Sequence, residues 1–391
     1  MELKKNKDIY NKQKSFINLS KIKVDKKDHD AQIARIKDFL YKPCKKKYVD
    51  NQNEIIKSLK KDLFEKKEKK EKKETQFKIT DTIFKEIELI EDQNLLKYLL
   101  HRYRYDIYPE VLKSDMYPPY MQIEPTSICN YRCVFCFQTN KEFTDKKSGF
   151  MGHMKLETYK KAVDLCQNNI EFISLASRGE PLSNPLIGKM LEYSNGKFLN
   201  LKINTNASLL NENKIHAILS NDVRTLVFSA DAADEDLYSK LRVRGKLSKV
   251  LKNIELFNNI KEKKYSNSKI ITRVSGVKVN EFQNFKEMEN LWKHLVDQVV
   301  FVDYCPWEDV YSDKKNQIKQ SCSELWRRMY IWWDGKTNPC EIDFKSVLSA
   351  GNIFEKNISE IWKSQKYEDL RNKHLMQKRG LVEPCNKCVS I

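Results

Sequence analysis

Between residues 120 and 302 six short apolar runs alternate with segments whose apolar residues return every three or four positions. A chain with that rhythm folds as a parallel sheet with helical crossovers. The runs are 120–124, 172–176, 201–205, 225–230, 270–275 and 298–302, and helical periodicity occupies 156–168, 186–195, 211–219, 247–260 and 282–295. The expected fold class is α/β. Such a sheet carries its chemistry at the C-terminal ends of its strands. With 391 residues, 40% of them hydrophobic, the chain can bury a core of this size and carry appendages.

Residues 1–117 read as a Lys-rich, mainly helical N-terminal extension. The formal net charge is +18, and residues 1–80 hold 25 Lys+Arg against 13 Asp+Glu, so most of the excess lies there. The run from Glu65 to Glu74 repeats Glu-Lys-Lys with no apolar face, as in a solvated helix or linker. Apolar residues return at helical spacing at Ile83, Ile87, Leu89, Ile90, Leu95, Leu96 and Leu99, and Pro109, Pro118 and Pro119 then mark an extended approach to the core. A nucleic-acid footprint needs basic residues on one face with interleaved aromatics, and that pattern is not seen, so nucleic acid is not an expected partner. No apolar run approaches the ~20 residues of a membrane span. The first residues lead into no signal region, so a cytoplasmic protein with reduced thiols is expected.

Three of the ten cysteines fall within eight residues, as Cys129-Asn-Tyr-Arg-Cys133-Val-Phe-Cys136. Thiolates at this C-x3-C-x2-C spacing can hold three irons of a cubane cluster and leave the fourth iron open. A zinc knuckle would need a second pair or histidines, and only His153 lies close downstream. The triplet resembles the signature of the radical S-adenosylmethionine (SAM) enzymes. That resemblance implies a partial (β/α)6 TIM-like barrel over 118–310 and a [4Fe–4S] cluster on Cys129, Cys133 and Cys136. It also implies SAM on the open iron and a flavodoxin- or ferredoxin-type low-potential electron donor. Reductive cleavage of SAM would give a 5′-deoxyadenosyl radical that takes a substrate hydrogen. Phe135 would pack near the adenine.

The strand ends extend the resemblance. Gly179-Glu180 follows the second run, 43 residues after Cys136, where the family receives the SAM ammonium. The third run ends Asn204-Thr205-Asn206-Ala207, with Ala207 where the family usually has Gly. The fourth ends Ser229-Ala-Asp231, with Arg242 further on; the resemblance assigns Ser229 to the ribose or carboxylate of SAM, Arg242 to its carboxylate, and Asn206 to the SAM site as well. Asp231 can equally be a helix cap and Asn206 a turn residue. Arg178, Arg273 and Glu308 are candidate substrate contacts. Cys305 is a candidate hydrogen donor for an epimerase, or a small buried residue.

Cys322, Cys340, Cys385 and Cys388 form a second group. Gly335 to Cys340 reads G-x4-C, followed by Gly351-Asn-Ile353 and Ile361-Trp362. This resembles the SPASM and twitch extensions of radical SAM enzymes and implies an auxiliary [4Fe–4S] cluster over 311–391. On spacing alone four cysteines with a C-x2-C pair also make a structural zinc site. Cys44 and Cys166 fit neither group. The expected activity is oxidation or epimerisation of a small polar substrate: a sugar, nucleotide-sugar or aminocyclitol. Maturation of a peptide is the alternative, and a non-catalytic iron–sulfur carrier or zinc scaffold is the alternative of another class.

Overall fold

The computed structural model describes residues 9–10, 15, 17–20, 26–42, 50–65, 75–312 and 314–391. Cys44 and residues 66–74 of the charged run lie outside these, as does the side chain of Glu308. The chain divides into two compact units, Ile22–Asp115 and the remainder, Met1–Lys21 with Met116–Ile391.

The smaller unit holds the helices Lys26–Tyr41, Asp50–Phe64, Asp81–Glu88 and Asp92–Asp106. The periodic Ile83, Ile87, Leu95 and Leu99 are buried as the spacing predicts. Thr80 caps the third helix by accepting from the Ile83 amide at 3.4 Å. Arg35 donates to the Ile87 and Ile90 carbonyls at 3.1 and 2.7 Å, satisfying acceptors at that helix's frayed end.

The larger unit is built on a ten-stranded sheet. Its strands are β1 (Ile17–Ser20), β2 (Tyr120–Ile123), β3 (Phe172–Leu175), β4 (Asn200–Thr205), β5 (Val223–Ser229), β6 (Ile271–Lys278), β7 (Gln298–Asp303), β8 (Arg328–Ile331), β9 (Lys336–Asn338) and β10 (Gly351–Asn352). β2 to β7 are the six expected strands, each pairing parallel with the next. Helices Leu156–Cys166, Ile187–Ser194, Glu212–Ser220, Leu247–Lys264 and Phe285–Trp292 match the predicted periodicity, and Glu235–Leu241 is an additional short one.

Two features depart from the sequence reading. The helical description of residues 1–117 misses β1, which pairs antiparallel with β7 and covers that edge of the sheet. Four residues carry too little pattern to announce a strand whose partner lies some 280 positions away. At the other edge β8, from the C-terminal segment, pairs parallel with β2, so the sheet runs on without a break past residue 310. Among the described residues no helix is long and apolar enough to cross a membrane.

Parallel strands buried on both faces read as continuous apolar runs. These do not. Met121, Ile123, Ile173, Leu201, Ile203, Leu226, Phe228, Val274 and Phe301 face the helices and are buried in one core. Their neighbours Gln122, Ser174, Lys202, Asn204, Ser229, Arg273 and Ser275 alternate with them and so lie on the opposite face. Phe172, Val227, Val300 and Val302 share that face by the same alternation, so it is mixed, and a partial (β/α)6 barrel turns it inward.

Candidate active site

The cysteine triplet sits in the loop after β2, at the C-terminal end of the sheet. Its backbone is fixed by antiparallel pairing of Arg132–Cys133 with Arg242–Val243 and by the Val134 amide donating to the Leu241 carbonyl at 3.0 Å. The Tyr131 amide donates to Cys129 Sγ at 3.4 Å, and the Cys136 amide to the Cys133 carbonyl at 3.0 Å. Burial, the nearby Glu180 carboxylate and the neighbouring Cys133 push the Cys129 thiol up to about 12. Burial raises Cys133 as well, against Arg242, and burial with Cys133 raises Cys136. One buried and two half-buried thiols, with Cys133 raising its two neighbours, form a donor set that added positive charge would turn into thiolates, which an iron cluster would provide.

Gly179 is required by packing. A Cβ there would lie 2.3 Å from the Thr126 carbonyl oxygen and 2.7 Å from the Ile128 backbone, because the cysteine loop crosses it directly. The close approach that the sequence suggested for a ligand is thus made first by protein backbone. Glu180 is 3% exposed, and burial raises its pKa. Its Oε1 accepts from Thr205 Oγ1 at 2.6 Å and the Leu182 amide at 3.1 Å, and its Oε2 from the Asn206 amide at 2.7 Å. A carboxylate has about four acceptor sites, so room is left for one further donor. Thr205 was not singled out from the sequence, because nothing local marks a strand-end threonine whose partner is 25 residues back. Thr205→Val is expected to cost about 1.5–3 kcal/mol, the range for a hydrogen bond to a charged group, in denaturant unfolding of the apo chain.

Asn206 is both turn and tether. Its Oδ1 accepts from the Ser208 amide at 3.0 Å, the turn geometry, while its Nδ2 donates to Asn130 Oδ1, also at 3.0 Å. Asn130, inside the cysteine motif, donates in turn to Ser208 Oγ at 2.9 Å. Ala207 has φ +61°, the left-handed conformation that the usual Gly adopts without strain.

Asp231 is not a helix cap; Asp234 is, accepting from the Leu237 amide at 2.8 Å. Asp231 is fully buried, accepts from Arg242 Nε at 2.6 Å and from the Val277 amide at 2.7 Å, and forms an ion pair with Arg242 Nη2 at 2.6 Å. The resemblance assigned Arg242 to SAM, but two of its three nitrogens belong to Asp231. The remaining Nη1 lies 3.9 Å from Cys133 Sγ, and the guanidinium is 5.7 Å from the Phe135 ring centroid. Ser229, at the end of β5, is half-buried on the inward face of the sheet.

Arg178 is not available as a substrate contact. It grips Glu124 through Nε and Nη2, both at 2.7 Å, donates from Nη1 to the Phe344 carbonyl at 2.9 Å and lies 4.1 Å from the Trp332 ring centroid. Arg273 on β6 donates to Gln298 Oε1 at 2.8 and 2.6 Å. Cys305 is 4% exposed in a cluster with Phe137, Val310, Ile342, Phe344 and Cys388, against which Cys136 and Cys340 also pack. Cys166 is buried in the main core.

Cys322, Cys340, Cys385 and Cys388 line one cavity with Glu324, Asp343, His374 and Arg379. Among the described residues no three Cys, His, Asp or Glu side chains converge as a single metal ion requires. Four thiols around one space can ligate an iron–sulfur cube fully. Burial and Cys388 push the Cys322 thiol up to about 11, with Arg379 opposing. His374 is fully buried, and burial with Arg379 holds it down to about 3, so it is neutral. Its Nδ1 accepts from the Cys322 amide at 3.2 Å, so the proton is on Nε2, and that N–H is buried without a partner. An orphaned donor on a cavity lined with sulfur fits an anionic cluster.

Two family models match the chain. The family model described as Radical SAM superfamily matches residues 123–288, and that described as an iron–sulfur cluster-binding domain, SPASM, matches residues 322–389. The chain carries a radical SAM domain and a SPASM domain. Its cofactors are accordingly a [4Fe–4S] cluster with SAM and an auxiliary iron–sulfur cluster. This radical SAM protein is 26% identical over 212 residues to a GTP 3′,8-cyclase of Clostridium botulinum (strain Okra / Type B1), covering 51% of this chain and 63% of the cyclase. It thus spans less than two thirds of that relative's length. It is 23% identical over 324 residues to the tungsten-containing aldehyde ferredoxin oxidoreductase cofactor-modifying protein of Pyrococcus furiosus, covering 69% of this chain and 86% of that one. The crystal structure of Streptococcus suis SuiB superposes with a TM-score of 0.49 at 18% identity, covering 72% of this chain and 74% of SuiB.

Proposed function

We propose that this radical SAM protein oxidises a small polyhydroxylated substrate, a sugar, nucleotide-sugar or aminocyclitol, by removing hydrogen from carbon. The observation that carries this reading is the set of polar residues on one face of the parallel sheet, Gln122, Ser174, Lys202, Asn204, Arg273 and Gln298. Gln122 Nε2 donates to Glu341 at 2.9 Å, and Asn204 Oδ1 is buried with no donor. Such a surface suits hydroxyl groups, which offer both donors and acceptors, better than an apolar peptide side chain.

Cys129, Cys133 and Cys136 would hold the first cluster, and Glu180, Asn206, Ser229 and Arg242 Nη1, with Gly179 and Phe135, would surround SAM. Together the cluster and SAM supply a 5′-deoxyadenosyl radical that removes a substrate hydrogen atom. Cys322, Cys340, Cys385 and Cys388 would hold the auxiliary cluster, a one-electron acceptor, which favours oxidation. Epimerisation with Cys305 as hydrogen donor is the alternative outcome, since that thiol lies in the cluster against which Cys136 and Cys340 pack.

The test is anaerobic reconstitution with a low-potential reductant and SAM, assaying 5′-deoxyadenosine while a panel of nucleotide-sugars, aminocyclitols and free sugars is added. Stimulated deoxyadenosine formation with a two-electron oxidised product is expected. Stimulation by peptides alone would replace the substrate class. A chain that neither binds nor cleaves SAM would be a carrier and not an enzyme.

A further inference from the structure

Arg379 is 1% exposed and lines the auxiliary cavity. Its guanidinium donates five hydrogen bonds, all to backbone carbonyls: Cys385 at 3.3 and 3.1 Å, Gln320 at 3.1 Å, Ser390 at 3.0 Å and Cys388 at 2.8 Å. Among the described residues it has no carboxylate partner. The acids on the same cavity are committed elsewhere. Glu324 is paired with Arg327 and Arg328 at 2.6 and 2.8 Å. Asp343 accepts from Tyr311 and from the Val347 and Leu348 amides.

A buried guanidinium without a counter-anion is costly, and breaking a buried pair to leave one costs several kcal/mol. A chain that keeps such a cation beside four cysteines has its counter-charge in whatever the cysteines hold. Two of the carbonyls that orient the guanidinium belong to Cys385 and Cys388 themselves, so the charge is tied to the ligand loop. A four-thiolate cube is anionic and gains a further negative charge on reduction, so a fixed neighbouring cation favours the reduced form. Net charge and hydrogen bonding are the terms that set such potentials.

We propose that Arg379 holds the reduction potential of the auxiliary cluster up, so that this site accepts an electron from the substrate side. The proposal rests on the reading that Cys322, Cys340, Cys385 and Cys388 carry an iron–sulfur cluster. The competing account is that Arg379 only ties the C-terminal loop together, and the two differ in what a lysine can replace.

The experiment is an anaerobic redox titration followed by electron paramagnetic resonance. It uses the full chain with Cys129, Cys133 and Cys136 changed to Ala, so that one cluster signal remains. Arg379→Lys keeps the charge and loses the fork; Arg379→Gln loses the charge. The expected result is a potential close to the parent for R379K and lower by at least about 59 mV, tenfold in the one-electron equilibrium, for R379Q. Loss of the auxiliary iron in R379Q but not in R379K would support the same conclusion, since the charge would then be needed to hold the anion. Parent-like potentials in both, equal falls in both, or loss of iron in both would overturn it. If the parent holds zinc in place of about four irons, the cluster reading itself fails, and that failure is visible before any variant is measured.

Discussion

Replacing Cys133 with Ala is expected to lower the iron of the anaerobically reconstituted chain from about eight to about four per molecule and to end formation of 5′-deoxyadenosine. Of the three thiols it is the one tied in on two sides, by its backbone pairing with Arg242 and by Arg242 Nη1 at 3.9 Å. Its removal takes one of three protein ligands from the cluster. The four C-terminal cysteines line a separate cavity, so the remaining irons should stay. Iron and sulfide analysis with chromatographic assay of deoxyadenosine checks both halves. A variant that keeps eight irons and still cleaves SAM would remove Cys133 from the cluster.

Arg178→Met is expected to destabilise the chain by about 3–5 kcal/mol, because it leaves the Glu124 carboxylate buried without its cation. Glu124 is fully buried and Arg178 is 3% exposed, and the bond is bidentate. The pair joins the end of β2, the turn after β3, the Trp333 amide after β8 and the Phe344 carbonyl. It therefore ties the first two barrel strands to the C-terminal segment. The double variant Glu124→Leu with Arg178→Met should recover much of the loss, since an apolar pair of similar volume carries no stranded charge. Urea unfolding of the four forms gives the coupling energy, and additive losses would show that the ion pair is not the linking element.

The cysteine spacing and the six strands were legible because each is local. Spacing along a few residues decides whether thiols can share a cluster, and period-2 or period-3.6 patterns decide strand or helix. What was misread or missed depends on distant partners. Arg178 looked like a substrate ligand because an arginine at a strand end beside a functional motif carries no mark of being paired; Glu124 is 54 residues away. Asp231 stayed open between a strand-end residue and a helix cap because two aspartates stand close together before the helix, and only the fold shows that Asp234 takes the amide while Asp231 takes Arg242. Thr205 and Asn130 were passed over for the same reason.

The sequence alone determined the chemistry this protein can support and the class of sheet that presents it, since ligand type, ligand spacing and apolar period are properties of neighbours along the chain. The tertiary structure decided which charges are spent in holding the fold and which are left facing a site. Glu124 neutralises Arg178, Asp231 takes most of Arg242, and Arg379 has only carbonyls. Burial makes each of those pairings strong or costly, and burial is set by segments that meet only when the chain has folded.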